Sequence, residues 1–381
     1  MYRSKLWLFS TIMLAMVASA CGSDAAPATD AAPATTAAPA TTAAPATTAA
    51  PATTAAPATT AAPTTTAVPP VNQPDVNGDG KVVIGIASPG DTNDGGFYQS
   101  FVDATKALAE TEGWEIVVSD FINPADAATA IADLARANVD FVAVGASELQ
   151  DGIDAVACEE EFSDVLFYIN AALPEGQTCY AAAADFDHEF GYLGGVMAGL
   201  VMQREGESQA GFIGGPELAF STVAHQSMEA GMKSIDPSFE LVVTHTGDFN
   251  DAALGIEAAS AMLDQDLRVI YTFLGGAMFP TGGSIAAAGG VAFSASTNTC
   301  FPGSPFGGSV LFPPGEYLVG VLEDFRDGKF VPGAEREFHV GIDAAVGVAL
   351  CDASAEEQAI IDGIVAQIAS GELDTEGLSA G

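Results

Sequence analysis

The stretch of residues 91–101, DTNDGGFYQSF, holds the side chains best suited to contact a small molecule. It lies between an apolar run at 82–87 and a segment with helical spacing. One interpretation is local: Asp94 accepts hydrogen bonds from the unpaired backbone N–H groups of a helix start, and Phe97 packs in the core one turn before Phe101. The other is a ligand site with Phe97 as one wall. We expect the turn to serve as both.

The patterns of covalent catalysis are missing from the sequence. It has no nucleophile elbow, no HExxH segment and no phosphate-binding loop. The tripeptide DHE at 187–189 does not fit a metal site, because three adjacent residues cannot all face one ion; it predicts a hinge or a helix start. We therefore expect no enzyme and no cofactor.

A partial calcium-loop pattern precedes the apolar run. Residues 75–82, DVNGDGKV, have the Asp-x-Asn-x-Asp-Gly start, but Ile86 stands where such a loop needs a bidentate Glu. A polar turn from Asp75 to Asp79 is the favoured interpretation, and metal binding there is the alternative.

Apolar strand-like runs alternate with helix-like segments along the rest of the chain. The first series of strands is expected at 82–87, 115–119, 141–144, 165–170 and 181–186, and the second at 210–213, 241–244, 269–273 and 290–293. This alternation predicts an α/β protein with parallel sheets covered by helices on both faces. Two series predict two Rossmann-like lobes joined by a hinge. We expect 81–187 with about 298–335 in lobe one, and 188–297 with about 336–381 in lobe two.

The N-terminus reads as an export signal. Arg3 and Lys5 precede an apolar stretch at 6–17 that is too short for an ordinary membrane span, and small residues then lead to Cys21. This pattern predicts a signal peptide at 1–20 and a lipidated Cys21 on the outer face of the cytoplasmic membrane, with plain signal cleavage as the alternative. Residues 21–80, with their AAPATT repeats, are expected to form an extended tether.

The net charge argues against a nucleic-acid-binding protein, and the cysteines indicate disulfide bonds. The formal net charge is -39, from 11 Lys and Arg against 50 Asp and Glu, so the chain repels nucleic acid and anionic lipid. Four cysteines follow Cys21, and outside the cytoplasm four usually form two disulfides. Of three possible pairings we favour Cys158–Cys179 and Cys300–Cys351, because the first pair is close in sequence and the other two lie near the end.

Four motifs in order resemble a known family. They are NDGGFYQ at 93–99, the run from GYLGG to GFIGG at 191–215, GDFND at 247–251 and LGGA at 274–277. They are similar to the motifs of the basic membrane lipoprotein (PnrA-like) family, the nucleoside-binding lipoproteins of ABC importers, which have the type I periplasmic-binding-protein fold. The resemblance covers about residues 82–371.

The family resemblance implies a set of binding residues. Phe97 and Phe249 would sandwich a purine base, Asp94 would be the matching acid, and Gly275 and Gly276 would let the backbone approach the sugar. The remaining positions implied by the motifs are Ser88, Asn93, Tyr98 and Asn170. The chain departs from the family here: Tyr98 replaces an Asn, Ser88 and Asn170 fall on family aspartates, and a ribose-binding Asp and Lys have no counterpart.

The resemblance implies a substrate-binding lipoprotein that captures a small solute, a purine nucleoside or similar, and delivers it to an ABC permease. We expect a monomer attached to the membrane by lipid alone. Two alternatives remain open: a surface receptor that reports a solute to a sensor or regulator, and an importer component for a non-nucleoside solute.

Overall fold

A computed structural model of the protein describes residues 73–379. The predicted signal peptide, the lipidation site Cys21 and the tether as far as residue 72 lie outside the described residues. Within 73–379, no helix is long and apolar enough to cross a lipid bilayer.

The described chain contains two six-stranded sheets. The strands are β1 Val83–Ala87, β2 Glu115–Ser119, β3 Phe141–Val144, β4 Leu166–Asn170, β5 Ala181–Asp185, β6 Gln209–Gly214, β7 Glu240–His245, β8 Val269–Phe273, β9 Val291–Ser296, β10 Phe306–Leu311, β11 Glu335–Phe338 and β12 Gly347–Leu350. The first sheet has the order β11-β5-β4-β3-β1-β2 and the second has the order β12-β10-β9-β8-β6-β7. Every pairing is parallel except that of β12 with β10.

Helices follow most of the strands. They are α1 Phe97–Glu112, α2 Ala127–Ala135, α3 Gln150–Val156, α4 Asp187–Glu205, α5 Ala219–Ile235, α6 Ala252–Leu263, α7 Met278–Ala287, α8 Pro314–Arg326, α9 Ala355–Ala369 and α10 Thr375–Ser379. Strands β1, β3 and β4 are buried along their whole length, as expected for parallel strands covered on both faces. The α/β class with two parallel-dominated sheets is therefore confirmed.

Helix α4 is buried along most of its length, and its glycines explain how closely it packs on α5. A methyl group at Gly195 would lie 2.0 Å from the carbonyl oxygen of Met228 on α5. A methyl group at Gly231 of α5 would lie equally close to the carbonyl oxygen of Tyr192. Only glycine permits this close backbone approach between α4 and α5.

The lobe boundaries differ from the expected ones in the last third of the chain. Strand β10 was expected in lobe one, yet it pairs with β9 in the second sheet. A buried hydroxyl network holds it there: Ser309 bonds to Ser294 at 2.9 Å and to Thr299 at 2.9 Å. Helix α8 packs on α1 in lobe one, and β11, expected from residue 336 in lobe two, extends the first sheet.

The chain passes between the two sheets at residue 186, at 312–313 and at 339–346. The carboxylate of Glu189 joins two of these passages, because it accepts bonds from Val340 N (2.8 Å) and His339 Nδ1 (2.9 Å). The Phe186 ring stacks on His339 with centroids 4.2 Å apart. Helix α4 begins at Asp187, so the helix start expected from the DHE tripeptide is confirmed.

Both predicted disulfides form. Cys158 is bonded to Cys179 and Cys300 to Cys351. The second bridge ties the β9–β10 connection to the residue after β12.

The acidic side chains of the partial calcium loop accept hydrogen bonds from the backbone of the same loop. Gly80 N donates to Asp75 Oδ2 at 3.0 Å, and Lys81 N donates to Asp79 Oδ1 at 2.9 Å. These bonds form the polar turn favoured from the sequence. Across residues 73–379, no three His, Cys, Asp or Glu side chains are grouped so that they could hold a metal ion.

Candidate ligand-binding cleft

A cavity of about 390 Å³ lies between the two sheets. Its wall consists of Phe97, Tyr98, Ala146, Ser147, Glu148, Gln150, Asn170, Ala171, Ala172, Ala183, Ala184, Asp185, Asp187, Phe190, Ala219, Phe220, Phe249, Phe273, Leu274, Gly275, Ala295, Ser296 and Phe312. Most of these residues stand at the carboxyl end of a parallel strand or in the segment that follows it. Sheets of this type bind ligands at that edge.

Aromatic rings from both lobes face the cavity. Phe190 and Phe312 stack with centroids 4.5 Å apart and planes at 17°, and Phe220 stacks on Phe249 at 6.2 Å and 16°. Phe97 of α1 lies 6.3 Å from Phe312. Phe97 and Phe249 are only partly buried, so each retains ring surface that a flat solute can cover.

Three carboxylates line the same cavity. Glu148 follows β3 and accepts a bond from the Tyr98 hydroxyl at 3.1 Å. Asp185 ends β5 and accepts a bond from the Tyr317 hydroxyl at 3.1 Å. Asp187 begins α4. No lysine, arginine or histidine is among the lining residues, so the cavity combines apolar rings with carboxyl groups that have no basic neighbour in the wall.

All three carboxylates are half-buried, and their partial removal from bulk water changes their acidity. Burial raises the pKa of Asp185 to about 6, against the opposing effect of the Tyr317 hydrogen bond. Burial, followed by the charge of Asp185, raises the pKa of Asp187 well above its usual range. Burial also raises the pKa of Glu148. Two neighbouring carboxylates without a cation titrate as a pair that resists double ionisation.

Ser296 at the end of β9 also lies in the cavity wall. It is 1% exposed, and its hydroxyl has no hydrogen-bond partner. Its backbone has φ 75°, in the left-handed region that few residues other than glycine adopt. An unsatisfied buried hydroxyl costs free energy, and a ligand group in the cavity would supply its partner.

The two lobes touch at the rim of the cavity through the DTNDGGFYQSF turn. A methyl group at Gly275 of lobe two would lie 3.1 Å from Cε2 of Tyr98. Gly95 has φ 74°, and a methyl group there would lie 2.8 Å from the Phe279 ring of α7. The glycines of both lobes therefore allow close contact around the cavity.

Comparison with known proteins identifies the family. The model described as "ABC transporter substrate-binding protein PnrA-like" matches residues 81–282, more than half of the chain. The chain belongs to this family. Two curated relatives, from Listeria innocua and Listeria monocytogenes, are named CD4+ T-cell-stimulating antigen and are 26% and 25% identical over 178 residues. The match spans about half the length of these curated relatives (48%) and 47% of this chain.

Solved structures with the same fold cover most of the described chain. An ABC transporter solute-binding protein from Aeropyrum pernix K1 superposes with a TM-score of 0.68 at 18% identity, over 77% of this chain and 92% of that one. One from Conexibacter woesei gives 0.58 at 23%, over 77% and 98%. A transcriptional activator of the comK gene from Bacillus halodurans gives 0.60 at 18%, over 76% and 98%. These likenesses establish the type I periplasmic-binding-protein fold.

Five of the expected PnrA-like binding residues line the cavity. They are Phe97, Tyr98, Asn170, Phe249 and Gly275. Gly275 faces Tyr98 and Asn250 rather than open space, which is a contact between lobes.

The other four expected residues lie outside the cavity wall. Ser88 bonds to Gly90 within its own turn, Asn93 is exposed, and the Gly276 N–H donates to Asn250 Oδ1 at 2.8 Å. The Asp94 carboxylate accepts bonds from the backbone N–H groups of Gly96, Tyr98 and Gln99 at 2.9–3.3 Å. The local capping interpretation therefore describes Asp94, while Phe97 stands in the wall.

Sequence reasoning missed the carboxylates of the cavity. Asp185 and Asp187 flank Phe186 at the end of a strand, a position where parallel sheets place ligand-binding residues. That signal was available in the sequence. Glu148 also follows a strand end, that of β3, so the same signal applied to it.

Proposed function

We propose that this protein is the solute-binding component of an ABC importer that captures a nucleoside-like solute between its lobes. The observation that carries the proposal is the position of Phe97 and Phe249, one from each lobe, in the wall of a single interlobe cavity. A flat base has two apolar faces, and stacking on an aromatic ring contributes about 1–3 kcal/mol per base.

The size and polarity of the cavity fit a solute of this kind. A volume of about 390 Å³ lies within the range of small-molecule sites. Asn170, Glu148 and Asp185 offer acceptors at its edge, and these suit the amino group of a base or the hydroxyls of a sugar. Motion of the two lobes about the three connecting segments would close the cleft on the solute and open it to the permease.

The predicted leader completes the proposal. A lipid on Cys21 and the AAPATT tether would hold a monomeric binding domain near the permease, on the outer face of the membrane. The two disulfides accord with an oxidising compartment.

Thermal unfolding of the purified protein in the presence of nucleosides, nucleobases, sugars and amino acids tests the proposal. A ligand at 100 times its Kd adds about 2.7 kcal/mol of stability, which shifts Tm by several degrees. We expect a nucleoside or base to produce this shift, and Phe97→Ala and Phe249→Ala to abolish it. Phe301→Ala is the control, because Phe301 is 51% exposed and lies outside the cavity. A shift from sugars alone would contradict the nucleoside-like assignment and retain solute capture.

A further inference from the structure

We propose that the cleft selects an organic cation: a solute whose apolar or aromatic body carries a protonated or quaternary nitrogen that lies against Glu148, Asp185 and Asp187. The inference rests on the proposed function, since it names the chemical class of the solute captured between the lobes. Nothing in the family membership assigns a charge to that solute.

The first support for a cationic solute is that the acidic side chains of the cavity have no basic partner in the described part of the chain. The described basic side chains form their ion pairs elsewhere, as Arg136 does with Glu161 and Arg326 with Glu112. Neither Glu148 nor Asp185 nor Asp187 has an ion-pair partner among residues 73–379. Carboxylates withdrawn from water without a counter-ion are costly, and a bound cation would supply that counter-ion.

The aromatic rings are the second support. A cation within about 6 Å of a ring face is attracted by the ring quadrupole, most strongly where water is excluded. The rings of Phe97 and Phe249, which are only partly buried, line the same cavity as the carboxylates and provide such surfaces. A neutral solute gains stacking from these rings but gains no attraction from ionised carboxylates.

The Ser296 hydroxyl is a further polar feature of the cavity wall. It is buried in the cavity wall, unpartnered and held on a left-handed backbone. A hydroxyl can accept a hydrogen bond from an N–H donor of a bound amine. Its position is therefore consistent with a nitrogen-bearing solute.

Cation binding is expected to be linked to proton release. The titratable groups facing the aspartate pair are the hydroxyls of Tyr168, Tyr271 and Tyr317, on β4, β8 and α8, with Arg336 of β11 acting on Tyr168. A cation favours the ionised carboxylates, whereas protons compete with it. Because the pKa of Asp185 is raised to about 6, affinity for a cation should fall as pH is lowered through that value.

Isothermal titration with charge-matched pairs tests the inference. The first pair is 1-methyladenosine, which is positively charged at neutral pH, and its neutral isomer N6-methyladenosine. The second is tyramine and its neutral counterpart 4-(2-hydroxyethyl)phenol. We expect the cation of at least one pair to bind at least about tenfold more tightly than its neutral partner near pH 7.5, as one uncompensated charge would give.

Variants locate the effect. Asp187→Asn and Asp185→Asn should reduce the preference for the cation to about threefold or less, while Asp164→Asn should leave it unchanged. Asp164 is exposed and outside the cavity. Both cavity variants remove a buried charge without changing shape, so we expect them to fold.

Two results would overturn the inference, and they differ in what they mean for the proposed function. Neutral nucleosides binding as tightly as their cations, or more tightly, would remove the charge selection and leave nucleoside capture in place. If no amine, nucleoside, sugar or amino acid binds, the proposed function fails as well.

Discussion

Two sets of carboxylates at the start of α4 behave in opposite ways. Glu189 is 9% exposed and fully engaged: it accepts bonds from the Val340 backbone and from His339 at the crossing between lobes. Asp185 and Asp187, four and two residues earlier, line the cavity without a basic neighbour in its wall. The difference shows that neighbouring acids on one short segment can serve distinct purposes, one holding the hinge together and the others remaining available to a solute.

The largest effect should come from breaking the engaged carboxylate. Glu189→Ala leaves the Val340 N–H without its acceptor and His339 without its partner. We expect the free energy of unfolding to fall by about 2–4 kcal/mol, measured by urea denaturation at neutral pH. Glu189→Gln retains one acceptor and should lose less. Equal stability of Glu189→Ala and the parent protein would show that the hinge does not depend on this residue.

Removal of a cavity carboxylate should increase the free energy of unfolding, whereas removal of Glu189 should decrease it. The pKa of Asp187 in the folded protein is raised well above that of an unfolded aspartate, so its ionisation costs stability as pH rises. Ligand-free Asp187→Asn should therefore be more stable than the parent near pH 7. The gain should shrink as pH falls and vanish at about pH 3, below the usual pKa of an unfolded aspartate, where Asp187 is protonated in both states. Denaturation curves at the two pH values measure it, and a gain independent of pH would contradict the assignment.

The smallest effect is expected at Asp94. It distinguishes the helix-capping role of Asp94 from the ligand-contacting role of Phe97 in the same turn. Asp94→Ala removes the acceptor for three backbone N–H groups of α1 and should cost about 1 kcal/mol of stability. It should leave the Kd of the captured solute within about twofold of the parent value, because Asp94 does not line the cavity. If Asp94→Ala greatly weakened solute binding and left the free energy of unfolding unchanged, Asp94 would be a ligand-contacting residue and not a helix cap.

Local patterns predicted much of the fold. The period of apolar residues indicated alternating strands and helices, and the order of the motifs placed Phe97 and Phe249 at strand ends. The spacing of the cysteines favoured the pairing that forms. These features depend on short-range chemistry, such as side-chain periodicity, turn residues and the closeness of two cysteines along the chain.

The lobe to which β10 belongs could not be predicted in the same way. The sequence of strand β10 does not indicate which sheet it joins. Backbone pairing with β9 and the Ser294–Thr299–Ser309 hydroxyl network place it in the second sheet. Hydrogen bonds between strands join residues that are distant in sequence, so they appear only once the sheet is assembled.

The sequence by itself determined an acidic, two-lobed α/β protein with aromatic residues at strand ends. The tertiary structure was needed to show which of the many acidic side chains are partly buried in the cavity. Glu148 follows β3, and Asp185 and Asp187 stand at the end of β5 and the start of α4, so the assembled first sheet brings them to one cavity. Asp94 turns back to its own helix. The reason is physical: charge compensation and burial depend on every neighbour in space, and one acid in an acidic chain is indistinguishable from another until those neighbours are fixed.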